Sequence, residues 1–339
     1  MSQRPKVFSG IQPTGDMHMG NYIGAVANWV KLQESHQCVY SIVDLHSMTM
    51  PYRAETLRSN TQQMFIDLLA CGVDPDKSIL FIQSQVPEHA ELCWILSCVC
   101  PYGDLRRMTQ FKQKSEKGEK RGNDFVSAGL LCYPILQAAD ILMYHASAVP
   151  VGKDQEQHLE LARVIARRFN EQFSVEFFAE PQPLLTEAPK IASLADPCKK
   201  MSKSDGERHY IGLFEDERGI REKIKAAVTD SGDAAPDDEV SPGVTNLLSI
   251  LRALDKTSTV EAFKQDIKKG NRRYRDLKET VADALVELTA RLRVKRMEIA
   301  EDLRAVSDLS DRMAEQARAI ARETVREVRK LVGLPYRKG

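Results

Sequence analysis

The sequence predicts an α/β protein, a parallel-sheet region followed by an all-helical region. Three observations predict it. Short apolar runs of strand length alternate with helix-period segments through the first half of the chain. Strand signals stop after Ser204. Beyond that point five segments in succession carry the helical period.

Lys6–Gly10 is a β run closed by the turn residues Pro13-Thr14-Gly15. Ile23, Val26, Ala27 and Val30 then recur at helical spacing, which predicts a helix from Asn21 to Leu32. Cys38–Val43 is a continuous apolar strand ending at Asp44. Leu57–Ala70 reads as a helix stopped by Cys71-Gly72 and Asp74-Pro75. Ser78–Gln83 is a strand and Glu91–Cys100 a helix ended by Pro101 and Gly103. Arg106–Arg121 turns basic and polar and predicts a helix with a mobile loop. Leu130–Tyr144 is a long helix, Ala148–Val151 a strand and Gln155–Phe169 a helix. In the second half, Gly219–Val228, Val244–Leu254, Val260–Lys269, Tyr274–Ala305 and Asp308–Val332 read as helices, with Asp230–Pro242 an acidic loop between them. The expected domains are 1–205, with an insertion at about 84–129, and 206–339, whose last helix could pack back on the first. Ligands of such sheets bind beyond the carboxyl ends of the strands. That directs attention to Ser9–Gln12, Asp44–Ser47, Gln83–Gln85 and Gly152–Gln155.

Lys+Arg and Asp+Glu both number 48, so bulk charge points to no particular partner. No apolar run approaches the ~20 residues that span a bilayer, and Met1–Lys6 lacks a signal-peptide core. The expectation is a cytoplasmic protein without a membrane partner, with a processed mitochondrial form left open. The seven cysteines are scattered, and Cys93, Cys98 and Cys100 lack the spacing of zinc or iron–sulfur sites. They read as core thiols of a reducing compartment.

Two short motifs carry the chemistry. Gly10–Asn21 turns from a strand into a helix N-terminus, whose free N–H groups and dipole favour a phosphate. His18 supplies a further donor, and Gly20 admits a nucleoside close to the backbone. Lys200-Met201-Ser202-Lys203-Ser204 is a loop with two lysines that can both meet a polyphosphate. Alone, the first is more readily a tight turn with a surface histidine, and the second is as readily a solvated linker. Together, Pro-Thr-Gly-x-x-His-x-Gly-Asn and Lys-Met-Ser-Lys-Ser resemble the two signatures of class I aminoacyl-tRNA synthetases.

Flanking segments narrow the resemblance to the tryptophanyl-tRNA synthetases of bacterial and mitochondrial type. They are Phe8–Gln12, Ile42–His46, Ala138–Leu142, Val149–Gln155, Asp196-Pro197, Ala227–Asp230 and Asn246–Leu248, spread over nearly the whole chain. The resemblance implies a Rossmann-like domain that binds ATP and L-tryptophan and a helical domain for the anticodon arm of tRNA(Trp). It implies His18, Lys200 and Lys203 as catalytic residues. ATP contacts follow at Gln12, Pro13, Thr14, Gly20, Asn21, Gly152, Lys153, Asp154, Ile191, Lys200, Met201, Ser202, Lys203 and Ser204. The tryptophan pocket would comprise Asp140, Phe8, Gly10, His46, Tyr133, Gln137, Val149, Val151 and Gln155. Asp140 would accept from the indole N–H, a fitting pair because indole donates once and a carboxylate only accepts. Lys153 stands where bacterial relatives usually carry glutamate, and Gln137 replaces a common methionine.

The implied reaction needs no general base, since the tryptophan carboxylate is already a nucleophile for the α-phosphorus of ATP. Catalysis would be positioning plus charge stabilisation by His18, Lys200, Lys203 and Mg²⁺ arriving with ATP, with no metal site built by the protein. Arg106–Arg121 could contact the acceptor stem, and Lys268, Lys269, Arg272, Arg273 and Arg275 the anticodon arm, although each of these residues is as readily part of a solvated charged face. The family is homodimeric, which makes Trp94 and the Cys93–Cys100 stretch either interface or core. The rivals are a tyrosyl-tRNA synthetase, another nucleotidyltransferase and a non-catalytic tRNA-binding paralogue. A nicotinamide dehydrogenase is disfavoured because no G-x-G-x-x-G follows the first strand.

Overall fold

The computed structural model describes residues 4–109, 126–152, 155–185, 189–229 and 240–335. Among these, β1 (Lys6–Ile11), β2 (Gln37–Ile42), β3 (Ser78–Ile82), β4 (Ala148–Val151) and β5 (Gln182–Leu185) form one parallel sheet. The strand order is β3-β2-β1-β4-β5. The winding direction reverses between β1 and β4, so a crevice lies beyond their carboxyl ends. Register pairs Phe8 with Val39 and Gly10 with Ser41, which places these four positions on one face of the sheet.

After β1 comes α1, which runs through Met19–Asn21, a π turn at Tyr22–Val26 and Ala27–Leu32. Then follow α2 (Asp44–Ser47), α3 (Ala54–Ala70), α4 (Glu88–Ser97), α5 (Tyr102–Arg107), α6 (Ala128–Met143) and α7 (Glu156–Phe173). The later region holds α8 (Glu217–Ala226), α9 (Pro242–Ala253), α10 (Thr257–Lys268), α11 (Tyr274–Ala300) and α12 (Leu303–Leu331).

The sheet separates two cores. On one face Trp29, Tyr40, Phe65 and Leu80 pack with Leu213, Leu247, Val281 and Leu285. Trp29 stacks on Tyr40 with ring centroids 4.4 Å apart, and the Tyr40 hydroxyl donates to the Trp29 carbonyl. On the other face Phe8, Val39, Phe81 and Leu142 pack with Ala317, Ala321 and Val325. Those last three stand at helical spacing on α12, and the small alanines let that helix lie close to the sheet. The Thr324 hydroxyl ties it to the Met143 carbonyl. Both cores therefore contain residues from before and after residue 205.

Several expectations are corrected. α3 and α4 begin three residues earlier than the apolar period indicates, because their first turns are polar. α11 ends at Ala300 and α12 already starts at Leu303. β5 lies where no strand was expected. It is four residues long and contains Pro183, which an edge strand tolerates. Trp94 is 73% exposed, which removes it from the core. Lys112, Lys114, Lys117, Lys120, Arg121 and most of the expected loop Asp230–Pro242 lie outside the described residues.

Candidate active site

The turn after β1 is drawn tight by the Thr14 N–H donating to the Gln12 carbonyl at 2.9 Å, and Gly15 takes φ +93°. A side chain there would strain the backbone. His18 caps α1 from an extended conformation. Its Nδ1 accepts from the Gly20 N–H at 3.1 Å, and its own N–H donates to Asn21 Oδ1 at 3.1 Å. In the neutral ring that leaves the proton on Nε2, a donor suited to an anion. Burial, and then the nearby Lys203 and Lys200, push the His18 pKa down to about 4. Gln12 and Thr14 are exposed, whereas Pro13 is buried. Asn21 Oδ1 is committed to the cap, so any ATP contact falls to its amide nitrogen.

The two motifs meet. Lys203 Nζ donates to the Asp16 carbonyl across 187 residues of sequence and lies 3.4 Å from where a Gly15 side chain would begin. Burial lowers the Lys203 pKa, with Asp16 and Asp67 acting in the opposite sense. Lys200 is exposed, and Ser202 accepts from the Ser204 N–H. Met201 is a buried anchor. Its N–H donates to the Ile191 carbonyl at 3.0 Å, and the two side chains retain 2% and 3% exposure. A Cβ on Gly20 would lie 3.4 Å from Met201 Cβ. Met201 and Ile191 can thus offer ATP their backbone but hardly their side chains.

Asn246 has a place here that sequence reasoning did not give it. Its amide clamps Ala192, accepting from the N–H at 2.8 Å and donating to the carbonyl at 3.0 Å. Ala192 bridges Lys200, so α9 holds the lysine loop through one side chain.

Of the predicted pocket residues, His46 meets both Asp140 and Tyr133, and the others stand on neighbouring elements. Phe8 and Gly10 stand on β1, Val149 and Val151 on β4, and Asp140 on α6. Gly10 is exposed, and a side chain on it would collide with Val43 at 2.8 Å. Asp140 is 1% exposed yet well satisfied. His46 Nε2 donates to Oδ2 at 2.8 Å, while Gln83 Nε2 and His89 Nδ1 both donate to Oδ1 at 2.7 Å. Burial alone would raise the Asp140 pKa, but the hydrogen bonds from His46 and His89 outweigh it and hold the carboxyl below its ordinary range.

The Tyr133 ring meets His46 edge-on at 6.2 Å and its hydroxyl pairs with His158 Nε2 at 2.7 Å. Gln137 Nε2 donates to Gln155 Oε1 at 3.5 Å. The Gly152 carbonyl accepts from the Gln155 N–H, whereas Lys153 and Asp154 lie outside the described residues. Gln83, His89, Tyr144 and His158 join the site without having been singled out as site residues. Only Gln83 stood in a segment marked by its place after a strand.

The model of the family "tRNA synthetases class I (W and Y)" matches residues 1–290. Tryptophan–tRNA ligase 2 of Streptomyces avermitilis is 45% identical over 336 residues, covering 98% of each chain. The crystal structure of tryptophanyl-tRNA synthetase from Mycoplasma pneumoniae superposes with TM-score 0.87 at 35% identity, covering 98% of this chain and 99% of that one. That from Campylobacter jejuni, complexed with ADP and tryptophan, gives TM-score 0.82 at 34% identity, covering 97% and 100%.

Proposed function

We infer that this chain, which belongs to the class I tRNA synthetases for tryptophan and tyrosine, is a tryptophan–tRNA ligase. The observation that carries the reading is Lys203 seated on the Gly15–Asp16 turn, beside a His18 whose free ring nitrogen is a donor. That junction lies at the carboxyl ends of the strands, where a nucleotide is expected.

ATP enters as its Mg²⁺ complex, and its phosphates replace the Asp16 carbonyl as partner of Lys203. The tryptophan carboxylate attacks the α-phosphorus, the bond to the β-phosphate oxygen breaks, and pyrophosphate leaves. His18, Lys200 and Lys203 meet the charge that develops on the leaving group. Asp140 accepts the indole N–H between Phe8, Val149 and Val151. Tyr133, Gln137 and Gln155 border the same pocket, and Gln155 would hold the amino acid's polar end. The terminal ribose hydroxyl of tRNA(Trp) then attacks the tryptophanyl carbonyl and AMP leaves.

Residues 1–205 supply activation and 206–339 hold the tRNA. Lys268, Lys269 and Arg272 are exposed on or just beyond α10 and offer phosphate contacts. Arg273 and Arg275 are already paired with Asp276 and Glu279, so they would contribute less. A second copy would cover Trp94 and Tyr102, which stand 73% and 64% exposed, giving a homodimer. No helix among the described residues is long and apolar enough to cross a membrane. Cys98, Cys132 and Cys198 are exposed free thiols and not the core thiols expected, and as such they suit a reducing cytoplasm.

Charging of total tRNA with labelled tryptophan tests the reading. Acid-precipitable label that depends on ATP and on tRNA is expected. A protein that charges tRNA with tyrosine instead would overturn it.

A further inference from the structure

We propose that Gln83, His89 and Tyr144 are positioning residues that present Asp140 to the substrate as an acceptor with one open lone pair, making the pocket read a single ring N–H. This rests on Asp140 being the indole acceptor and goes beyond it, because none of the three belongs to the expected pocket.

A carboxylate has about four acceptor directions. Gln83 and His89 occupy both on Oδ1, and His46 takes one on Oδ2. One direction on Oδ2 remains for a ligand. The three donors come from three separate pieces of chain: the turn after β3, α4 and α2. The carboxylate is therefore fixed in rotation as well as in charge.

His89 is 0% exposed and is itself fixed. An acceptor faces its Nδ1, so that nitrogen bears the hydrogen. In the neutral ring Nε2 then accepts, and the Tyr144 hydroxyl lies 2.8 Å from it. Tyr144 is 1% exposed and stacks on Phe8, with centroids 5.7 Å apart and planes 6° apart. A chain of hydrogen bonds thus runs from Tyr144 through His89 to Asp140. Without the hydroxyl, the imidazole is free to turn its other nitrogen towards Asp140 or take the opposite tautomer. Without the imidazole, Oδ1 loses one donor and becomes a second site open to ligand or water.

The test compares tryptophan with its benzothienyl isostere, in which sulfur replaces the ring N–H, using kcat/KM for ATP–pyrophosphate exchange. A hydrogen bond to a charged group predicts a preference for tryptophan of about 10- to 100-fold in the unaltered enzyme. Tyr144→Phe, which keeps the stack on Phe8, should cut that preference by about tenfold. His89→Leu should bring it close to unity, and His89→Asn, which restores an N–H near the Nδ1 position, should recover most of it. A merely structural loss would lower both substrates alike. An unchanged preference in Tyr144→Phe and in whichever His89 variants fold would overturn the inference while leaving Asp140 as the acceptor. A preference near unity in the unaltered enzyme would overturn the reading of Asp140 itself.

Discussion

Lys203 and Asp140 do different work, and kinetics can separate them. Lys203 faces the turn where phosphate would lie, so Lys203→Ala should slow adenylate formation by about 100-fold with little change in tryptophan affinity. Pre-steady-state rates beside equilibrium tryptophan binding check this, and equal losses in both would refute a transition-state role. Asp140→Ala should leave a folded protein that no longer prefers tryptophan to its isostere. Retained preference would remove Asp140 from the pocket. The burial of Asp140 was legible from its apolar neighbours Ala139, Ile141 and Leu142 on one helix. Its donors were not, since Gln83 and His89 stand 57 and 51 residues away and no local period joins them.

At the scale of elements, α9 matters through Asn246. Asn246→Ala leaves the Ala192 N–H and carbonyl without their amide partner, at a cost of about 1–3 kcal/mol. Urea unfolding should show that loss, and adenylate formation should fall because Ala192 bridges Lys200. Wild-type activity at full stability would argue that the clamp is dispensable. Strand and helix alternation was readable because buried parallel strands are continuous apolar runs. β5 escaped because Gln182–Leu185 is short and proline-bearing, and the π turn at Tyr22–Val26 escaped because its apolar spacing still resembles an α-helix. Asn246 stands in one of the family-like segments, but its partner on a loop 54 residues earlier is a fact of tertiary structure.

Across the whole molecule, α11 joins the helical region to the site. Arg296 pairs with buried Asp67 at 2.8 Å and lies 4.3 Å over the Phe214 ring. Arg293 donates to the Glu215 carbonyl. Just before Phe214, the Ile211 carbonyl accepts from the Met19 N–H and the Leu213 N–H donates to the Met17 carbonyl, on either side of His18. Two buried groups there set opposing pH dependences. The His18 pKa falls from 6.5 to about 4, so between those values the unfolded chain holds more protons and stability rises with pH. The Asp67 pKa is raised by burial from 3.8 to about 6, so there the folded chain holds more protons and stability falls as pH rises. Asp67→Asn removes the second effect. Its unfolding midpoint should climb more steeply between pH 4 and 6 than that of the unaltered protein, and an unchanged slope would contradict the assignment.

The most direct test of the whole is amino-acid-dependent ATP–pyrophosphate exchange, run with tryptophan and with tyrosine. Exchange with tryptophan far above that with tyrosine is expected, and its loss in His18→Ala and Lys203→Ala should follow. No exchange with tryptophan, or faster exchange with tyrosine, would contradict the claim that the joined turn and lysine loop activate tryptophan.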